Sequence, residues 1–173
     1  MKKEIRIAGL GGQGVVFAAQ LLGRAGVMEG WCTSQSSFYG PESRGTSCYG
    51  DVVLSRESVD FPFVTIPDIL IALCQEGYDR FARDTTGFVF YDPGRVTPDP
   101  SPKTSHLPVP CEEVAQRELG KKVVANLIIL AACCTKTGLV KKESLIKALE
   151  EMTEESQREV NVRALELGWR FGI

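Results

Sequence analysis

The stretch GLGGQG, residues 9–14, decides the fold that this chain can adopt. It follows a short apolar run at 4–8, which predicts a strand, and it leads into residues 14–29, where apolar positions recur every three or four residues as in a helix. Its glycines match the pattern G-x-G-x-x-G in the strand, turn and helix context that the pattern requires. We therefore expect a glycine loop between a first strand and a first helix.

Such a loop is suited to an anion. Backbone without Cβ atoms can turn tightly and approach a ligand closely, and the unpaired N–H groups at the start of a helix carry partial positive charge. The loop therefore predicts a pyrophosphate site. The alternative is a tight turn that packs the helix against the sheet and binds no ligand.

Two familiar nucleotide sites fit the sequence poorly. An NAD site needs an acidic residue near the end of the second strand, about 20 residues beyond the glycines, to bind the ribose. The stretch 31–36 has none, and Glu29 comes too early. A P-loop is excluded because the chain has no G-x-x-x-x-G-K-[ST].

The remaining pattern predicts an α/β fold. The continuous apolar run 69–73 is typical of a parallel strand that is buried on both faces. Further strands are predicted at 31–35, 46–55 with a possible extension at 61–64, 88–91 and 106–109, a loop at 36–45, and helices at 75–84, 112–119, 122–137, 142–152 and 154–170. This alternation predicts a mostly parallel sheet with helices on both faces, in a single domain over residues 1–173.

Composition excludes several function classes. The net charge of -2, from 20 basic and 22 acidic residues, provides no field for nucleic acid or an anionic membrane, and the lysine pairs, 121–122 among them, are interpreted as solvated faces. No apolar run reaches the roughly 18 to 20 residues of a membrane span, so we expect a cytoplasmic protein.

The 6 cysteines are expected to be reduced and mostly buried. We expect no metal site and no catalytic side chain, because His106 is the single histidine and has no cysteine or acidic residue at the spacing of metal ligands.

Two further features stand out. The stretch FYGPESRG, 38–45, displays Tyr39, Glu42 and Arg44 on a turn-forming frame. The Arg44 guanidinium suits a phosphate or a partner's carboxylate, or else it pairs with Glu42 on the surface. Asn126 interrupts the apolar run VVANLIILAA, where a buried amide must find partners, either by fastening a loop or as a satisfied core group.

With these motifs placed, the chain resembles the gamma subunit of 2-oxoacid:ferredoxin oxidoreductases. The likeness covers nearly the whole length. It includes GLGGQG, YGPESRG, the Pro67-Asp68 pair before a buried strand, the asparagine in the apolar helix, and NVRALELG at 161–168. Thr46 departs from the glycine that the family usually has at this position, which affects only the conformation of that turn.

The resemblance implies a Rossmann-like domain within a multi-subunit enzyme. Such an enzyme decarboxylates a 2-oxoacid on thiamine diphosphate, passes electrons through iron-sulfur clusters to ferredoxin, and forms an acyl-CoA. It implies alpha and beta subunits that carry thiamine diphosphate and magnesium, and a ferredoxin-like delta subunit. The chain alone would be inactive. SVDFP at 58–62 and LIALCQEGYDRF at 70–81 favour 2-oxoglutarate slightly over pyruvate.

The family's association of this subunit with coenzyme A agrees with the chemistry of the glycine loop, because coenzyme A carries a pyrophosphate. We expect its binding residues to be Gly9, Gly11, Gly12, Gln13, Gly14, Tyr39, Gly40, Glu42, Arg44, Gly45 and Asn126. The loop 39–45 would touch either coenzyme A or the partner subunits. The alternatives are a free-standing dinucleotide-binding oxidoreductase and an interaction domain without a ligand.

Overall fold

The first strand, the glycine turn and the first helix form as predicted in a computed structural model, which describes residues 1–40, 46–100 and 103–171. Strand β1 spans Lys2–Leu10 and helix α1 spans Val15–Met28. The apolar side chains of β1 at positions 5–8 are buried, so this strand runs through the core and delivers the glycine turn to the edge of the sheet.

The other elements follow the predicted order, with two differences. The strands are β2 (Cys32–Tyr39), β3 (Ser47–Ser55), β4 (Ile69–Ala72), β5 (Phe88–Tyr91) and β6 (Ser105–Pro108). The helices are α2 (Gln75–Phe81), α3 (Cys111–Leu119), α4 (Ala125–Thr137), preceded by a 3-10 turn at Lys122–Val124, α5 (Lys142–Met152) and α6 (Glu155–Trp169). The predicted loop at 36–45 is wrong at its start, because β2 continues to Tyr39, and the predicted extension at 61–64 is not a strand.

The six strands form one sheet in the order β2-β3-β1-β4-β5-β6. Strands β1, β4, β5 and β6 pair in parallel, whereas β3 runs antiparallel to both of its neighbours, β1 and β2. The mostly parallel sheet is therefore confirmed. The insertion of β3 between β1 and β2 means that the strand after α1 lies at the edge, one strand removed from the glycine turn.

The two faces of the sheet carry different layers. Along β1, Ile5 and Ile7 join the large apolar core that is shared with α1, α3, α4, α5 and α6. Ala8 points to the opposite face and packs with α2 through Tyr78 and Phe81. This period of two is the normal alternation of a strand, and it confirms helices on both faces. We call the two sides the five-helix face and the α2 face.

A buried ion pair lies on the α2 face. Arg6, which is 8% exposed, donates two hydrogen bonds of 2.7 Å to the Asp51 carboxylate on β3 and one of 2.9 Å to the carbonyl oxygen of Val64. The guanidinium carbon lies 4.6 Å from the centre of the Tyr49 ring and 4.5 Å from that of Phe81. The pair thus fastens the segment before β4 to the middle of the sheet.

The rings on this face extend to the surface. Phe38 stacks on Tyr49 with ring centres 4.6 Å apart, and Phe63 lies 6.1 Å from Phe38 and 5.5 Å from Phe61. Phe61 and Phe63 are 54% and 43% exposed. We call Phe38, Phe61 and Phe63 the aromatic patch.

On the five-helix face, α6 lies very close to α4. A Cβ atom at Gly168 would contact the carbonyl oxygen of Ile128 and would lie 2.7 Å from the Ala131 side chain, so only glycine allows this approach. Asn161, Ala164 and Gly168 share the buried side of α6, which accounts for the spacing of the motif NVRALELG.

The cysteines are free thiols, as predicted. Cys48, Cys74, Cys111, Cys133 and Cys134 are buried, and Cys32 is exposed. Burial raises the pKa of the Cys134 thiol to about 12. Within residues 1–40, 46–100 and 103–171, no helix has the length and apolar character that a bilayer span requires.

Candidate functional site

The glycine loop exposes backbone donors at the carboxyl end of β1. Gly12 and Gly14 have φ angles of 97° and 70°, the left-handed region in which a residue with a Cβ is strained. The N–H of Gly11 donates to the carbonyl oxygen of Thr46 at 3.0 Å, and that of Gln13 donates to Leu10 at 3.1 Å. No hydrogen bond between described residues uses the N–H of Gly12 or Gly14. These donors are free for an anion.

Helix α1 adds further donors beside the loop. Its N-cap is Gly14, which provides no side-chain hydrogen bond, and the helical bonding pattern begins only with Ala18 N–H to the Gly14 oxygen at 3.0 Å. The first N–H groups of a helix have no partner within the helix and carry its partial positive charge. The loop and the helix start therefore form one anion-binding feature.

Gln13 holds the shape of the loop. Its Oε1 atom accepts from the N–H of Leu10 at 2.7 Å, and its Nε2 atom donates to the carbonyl oxygen of Leu73 at 3.0 Å. A Cβ atom at Gly9 would lie 2.7 Å from the same Oε1 atom. Gly9 is therefore required by packing inside the loop, and the Gln13 amide joins the ends of β1 and β4.

Asn126 fastens the loop from the other side. Its side chain is buried in the start of α4, and its Nδ2 atom donates to the carbonyl oxygen of Gly14 at 2.9 Å. Its Oδ1 atom accepts from the N–H of Leu127 at 2.9 Å. Of the two roles left open by the sequence, the structure supports the fastening of a loop. The starts of α1 and α4 are thereby held together.

One cavity lies on the sheet side of Asn126, and we call it the strand-edge cavity. It has a volume of about 190 Å³ and is lined by Gly12, Gln13, Leu73, Asp92, Arg95, Cys111, Glu112, Lys122, Val123, Ala125 and Asn126. It lies outside the carboxyl ends of β1, β4 and β5, which is where open α/β sheets bind ligands. A Cβ atom at Gly12 would meet open space, so the loop is accessible from this side.

The charged side chains that line this cavity differ in whether they form an ion pair. Arg95 donates two hydrogen bonds, of 2.6 and 2.7 Å, to the Glu112 carboxylate, and these bonds lower the pKa of Glu112 below its ordinary value. Lys122 is exposed and forms no ion pair with a residue that the structure describes. Lys122 is therefore the cation that remains available to an anionic ligand at the loop.

Asp92 and Cys111 stabilise the floor of the cavity. The Asp92 carboxylate, 2% exposed, accepts from the N–H groups of Gly94 and Glu112 at 2.8 Å and from the Cys111 thiol at 3.1 Å. Burial holds the pKa of the Cys111 thiol well above its ordinary value, with a further contribution from the neighbouring Asp92 charge. The thiol is therefore protonated and unsuited to nucleophilic chemistry at neutral pH.

A second cavity lies on the helix side of Asn126, and we call it the helix-end cavity. It has a volume of about 350 Å³ and is lined by Gly14, Phe17, Val123, Val124, Asn126, Met152, Thr153, Glu154, Gln157 and Asn161. The starts of α1, α4 and α6 meet here, and none of the three has a side-chain cap. Some of these backbone N–H groups already have partners, because that of Leu127 donates to the Asn126 Oδ1 atom and that of Gln157 donates to the carbonyl oxygen of Glu154.

The other predicted site residues lie at or beyond the end of β2. Tyr39 is 70% exposed at the last position of that strand, and Gly40 follows it against the Thr46 side chain. Glu42, Arg44 and Gly45 lie outside the described residues.

The sequence did not single out Lys122 or Asn161. Lys122 belongs to a lysine pair that was interpreted as solvated, and its position at the start of a 3-10 turn beside the loop depends on how that turn packs. Asn161 was noted only as the first letter of NVRALELG. Its polar side chain on the apolar side of a helix was the available signal.

Comparisons with known proteins agree on the family. A family model described as Pyruvate ferredoxin/flavodoxin oxidoreductase matches residues 4–171. The 2-oxoglutarate synthase subunit KorC of Methanocaldococcus jannaschii is 37% identical over 174 residues, which cover 98% of this chain and 93% of that protein.

Solved structures give the same result for the fold. A keto/oxoacid ferredoxin oxidoreductase gamma subunit from Geobacter sulfurreducens has a TM-score of 0.89 and 31% identity, covering 99% of this chain and 97% of that one. A 2-oxoglutarate:ferredoxin oxidoreductase from Magnetococcus marinus, with 2-oxoglutarate, coenzyme A and succinyl-CoA bound, has a TM-score of 0.89 at 21% identity, and our chain covers 31% of it. The chain therefore belongs to the pyruvate ferredoxin/flavodoxin oxidoreductase family, as a gamma-type subunit of an enzyme that acts on 2-oxoacids.

Proposed function

We propose that this chain binds coenzyme A for a multi-subunit 2-oxoglutarate:ferredoxin oxidoreductase and helps to hold that complex together. The observation that carries the proposal is a set of backbone N–H groups, at Gly12, Gly14 and the start of α1, that have no partner among the described residues and are open to the strand-edge cavity beside Lys122. Backbone donors at a helix start and a nearby ammonium group suit a diphosphate.

Coenzyme A suits this site better than NAD does. In a dinucleotide fold, the strand after the glycine helix lies beside β1 and brings its acidic residue to the ribose. Here β3 lies beside β1 and runs antiparallel to it, so the carboxyl end of β2 is one strand further away. The diphosphate donors are retained, whereas the arrangement that recognises an NAD ribose is altered. A free-standing dinucleotide-binding enzyme is therefore the weaker candidate.

Within the complex, the chemistry would be divided between chains. Alpha and beta subunits would hold thiamine diphosphate and magnesium, on which the 2-oxoacid loses carbon dioxide. A ferredoxin-like delta subunit would carry the electrons through iron-sulfur clusters to ferredoxin. The role of our chain would be to bring coenzyme A to the acyl group. The similarity to KorC over almost the whole chain supports 2-oxoglutarate as the 2-oxoacid, in a cytoplasmic complex.

The aromatic patch supports an assembly role. Phe61 and Phe63 are half exposed on the α2 face, beside the end of β2 that leads to the loop 39–45. Contiguous exposed apolar side chains mark interaction sites more often than free surface. We infer that the thiamine-binding subunits cover this patch.

The proposal is tested with a tagged copy of the chain expressed in its native host and purified under anaerobic conditions. We expect the alpha, beta and delta subunits to co-purify, and the complex to reduce a viologen dye with 2-oxoglutarate and coenzyme A. The isolated chain should not. Viologen reduction or NADH oxidation by the chain alone would contradict the proposal, as would the absence of all partners after gentle anaerobic lysis.

Lys122→Ala tests the coenzyme A site within that complex. The KM for coenzyme A should rise about tenfold, because a charged hydrogen bond to phosphate is lost, while kcat and the KM for 2-oxoglutarate stay the same. Lys147→Ala is the matched control, since Lys147 is an exposed lysine on α5. Equal effects of the two substitutions would exclude Lys122 from the site.

A further inference from the structure

We propose that strand β2 pairs with β2 of a second copy of this chain, so that the sheets of the two copies join into one across a two-fold axis. The surface concerned is one free edge of the six-stranded sheet, formed by residues 32–39, which we call the β2 edge. A strand at the edge of a sheet presents a row of unpaired N–H and C=O groups, and these groups can bind another strand.

The pairing register shows which backbone groups of the β2 edge point outward. At the two ends of the β1–β3 ladder, the N–H of Arg56 donates to the Met1 oxygen and that of Gly11 donates to the Thr46 oxygen, both at 3.0 Å. Even-numbered residues of β3 therefore bond to β1 and odd-numbered ones to β2, because successive residues of a strand point their backbone groups to opposite sides. On β2 the even-numbered residues face β3, and the residues that point outward are Thr33, Gln35, Ser37 and Tyr39.

These outward groups have no partner in the part of the chain that the structure describes. Among the described strands, β2 pairs with β3 alone, and no other backbone hydrogen bond between described residues uses the outward N–H or C=O groups. The Gln35 side-chain amide donates elsewhere, to the Ser37 hydroxyl and to the carbonyl oxygen of Ser36, which faces β3. The row of donors and acceptors is therefore open along the strand.

The two edges of the sheet differ in how they are protected against pairing. Proteins usually protect an edge with a short strand, a proline, a bulge or charged side chains. At the far edge, β6 has 4 residues and ends in Pro108, which has no N–H. In contrast, β2 has 8 residues, CTSQSSFY, without a proline or a charged side chain, and its register with β3 is continuous. This edge is therefore suited to a partner strand.

A second copy matches the β2 edge in geometry and in charge. Around a two-fold axis at Ser36, Gln35 of one copy lies opposite Ser37 of the other, and Thr33 lies opposite Tyr39. Each outward residue then meets an outward residue, with which it exchanges both N–H···O bonds. A two-fold axis brings a strand against its own sequence, so a charge on β2 would lie near its own copy, and β2 carries none. The α2 faces of both copies lie on the same side, which brings the two aromatic patches together beside the seam.

The test uses two double variants of the full chain that carry opposite charges. Gln35→Glu with Ser37→Glu places like charges opposite each other across the seam, and Gln35→Lys with Ser37→Lys does so with the other sign. Sedimentation equilibrium of the unsubstituted chain should show monomers and dimers in exchange. Each double variant alone should raise the dimer Kd by at least about tenfold. An equimolar mixture of the two should restore the dimer, because opposite charges then meet.

A matched control separates this effect from net charge. Gln116→Glu with Ser156→Glu adds the same charge at exposed positions of α3 and α6, and it should leave the dimer Kd unchanged. If the β2 variants do not fold, as measured by circular dichroism, Ser37→Pro replaces them, since its ring removes an N–H that points outward. It should raise the dimer Kd by a similar factor.

Three results would overturn the inference. They are an unsubstituted chain that is monomeric at every concentration, a mixture of the charge variants that stays monomeric, and a control variant that weakens the dimer as much as the β2 variants do. If the unsubstituted chain is monomeric and the Glu variant recovers fewer partner subunits from the host, the β2 edge belongs to a strand of another subunit instead.

Discussion

The two faces of the sheet are stabilised by different physics. On the five-helix face, a continuous apolar core includes residues from every helix except α2. On the α2 face, the core is smaller, and the middle of the sheet is occupied by the buried Arg6–Asp51 pair beneath aromatic rings. Burial of apolar area is non-directional, whereas a buried ion pair depends on both partners. The α2 face should therefore be the more sensitive to single polar changes.

The largest expected effect is on the α2 face. Arg6→Ala leaves the Asp51 carboxylate buried without its partner, and we expect the free energy of unfolding to fall by about 3–5 kcal/mol. Urea denaturation of the full chain measures this. Arg6→Met combined with Asp51→Leu removes both charges and should cost much less. If the double variant is as unstable as the single one, the ion pair does not dominate this face.

Next in size is a packing change on the five-helix face. Gly168→Ala forces a Cβ atom against the carbonyl oxygen of Ile128, and we expect a loss of about 1–3 kcal/mol in unfolding free energy. Gly23→Ala is the matched control within α1, because the new Cβ would lie 3.8 Å from the Gln35 side chain, which is an ordinary van der Waals contact. That control should stabilise the chain by up to about 1 kcal/mol. Destabilisation by both variants would argue against tight α4–α6 packing as the cause.

A pH dependence distinguishes the buried thiols of the five-helix face. Burial raises the pKa of Cys134 from 9.0 to about 12 in the folded chain. The contribution of this thiol to the free energy of unfolding is therefore fully present below pH 9, and it is lost as the pH rises toward about 12. Within that window its contribution falls by about 1.4 kcal/mol per pH unit. Unfolding free energies of the unsubstituted chain and of Cys134→Ala, measured against pH, should differ by this slope. Cys32→Ala, at an exposed thiol, should retain the original slope.

The smallest effect on stability is expected at the aromatic patch. Phe61→Ser changes a side chain that is 54% exposed, so the unfolding free energy should change by about 0.5 kcal/mol or less. The yield of partner subunits that co-purify with the chain should nevertheless fall. Val27→Ser, at a side chain that is 59% exposed on α1, should change neither quantity. Equal partner recovery from the two variants would remove the patch from the proposed interface.

Sequence patterns predicted the parts of the fold that depend on local signals. The strand, glycine turn and helix at residues 4–29 combine period, turn chemistry and an apolar run, and they form as expected. The end of β2 was missed because TSQSS lacks apolar alternation, and its strand conformation comes from pairing with β3 at the sheet edge. The stretch 61–64 contains Pro62 and packs over Arg6 through the Val64 carbonyl oxygen, so it does not pair as a strand.

The candidate site was predictable only in its backbone. The glycine spacing predicted a loop with exposed backbone N–H donors, and Asn126 could be recognised in the sequence as a polar residue within an apolar run. Lys122 and Asn161 lie 39 residues apart in the sequence and about 100 residues or more beyond the glycine loop, and only the packing of α4 and α6 brings them to either side of it. Contacts between residues this far apart in the sequence leave no periodicity or motif from which they could be predicted.

The amide of Gln13 has a consequence for ligand binding. With both of its ends bonded to backbone of β1 and β4, it keeps the loop in one shape before any ligand arrives. A diphosphate that binds would therefore lose its own conformational and rotational freedom, but it would not have to order the loop. Since no free energy is spent on ordering the protein, more of the interaction energy would appear as affinity. A preformed binding site of this kind suits a substrate that must be bound and released in every turnover.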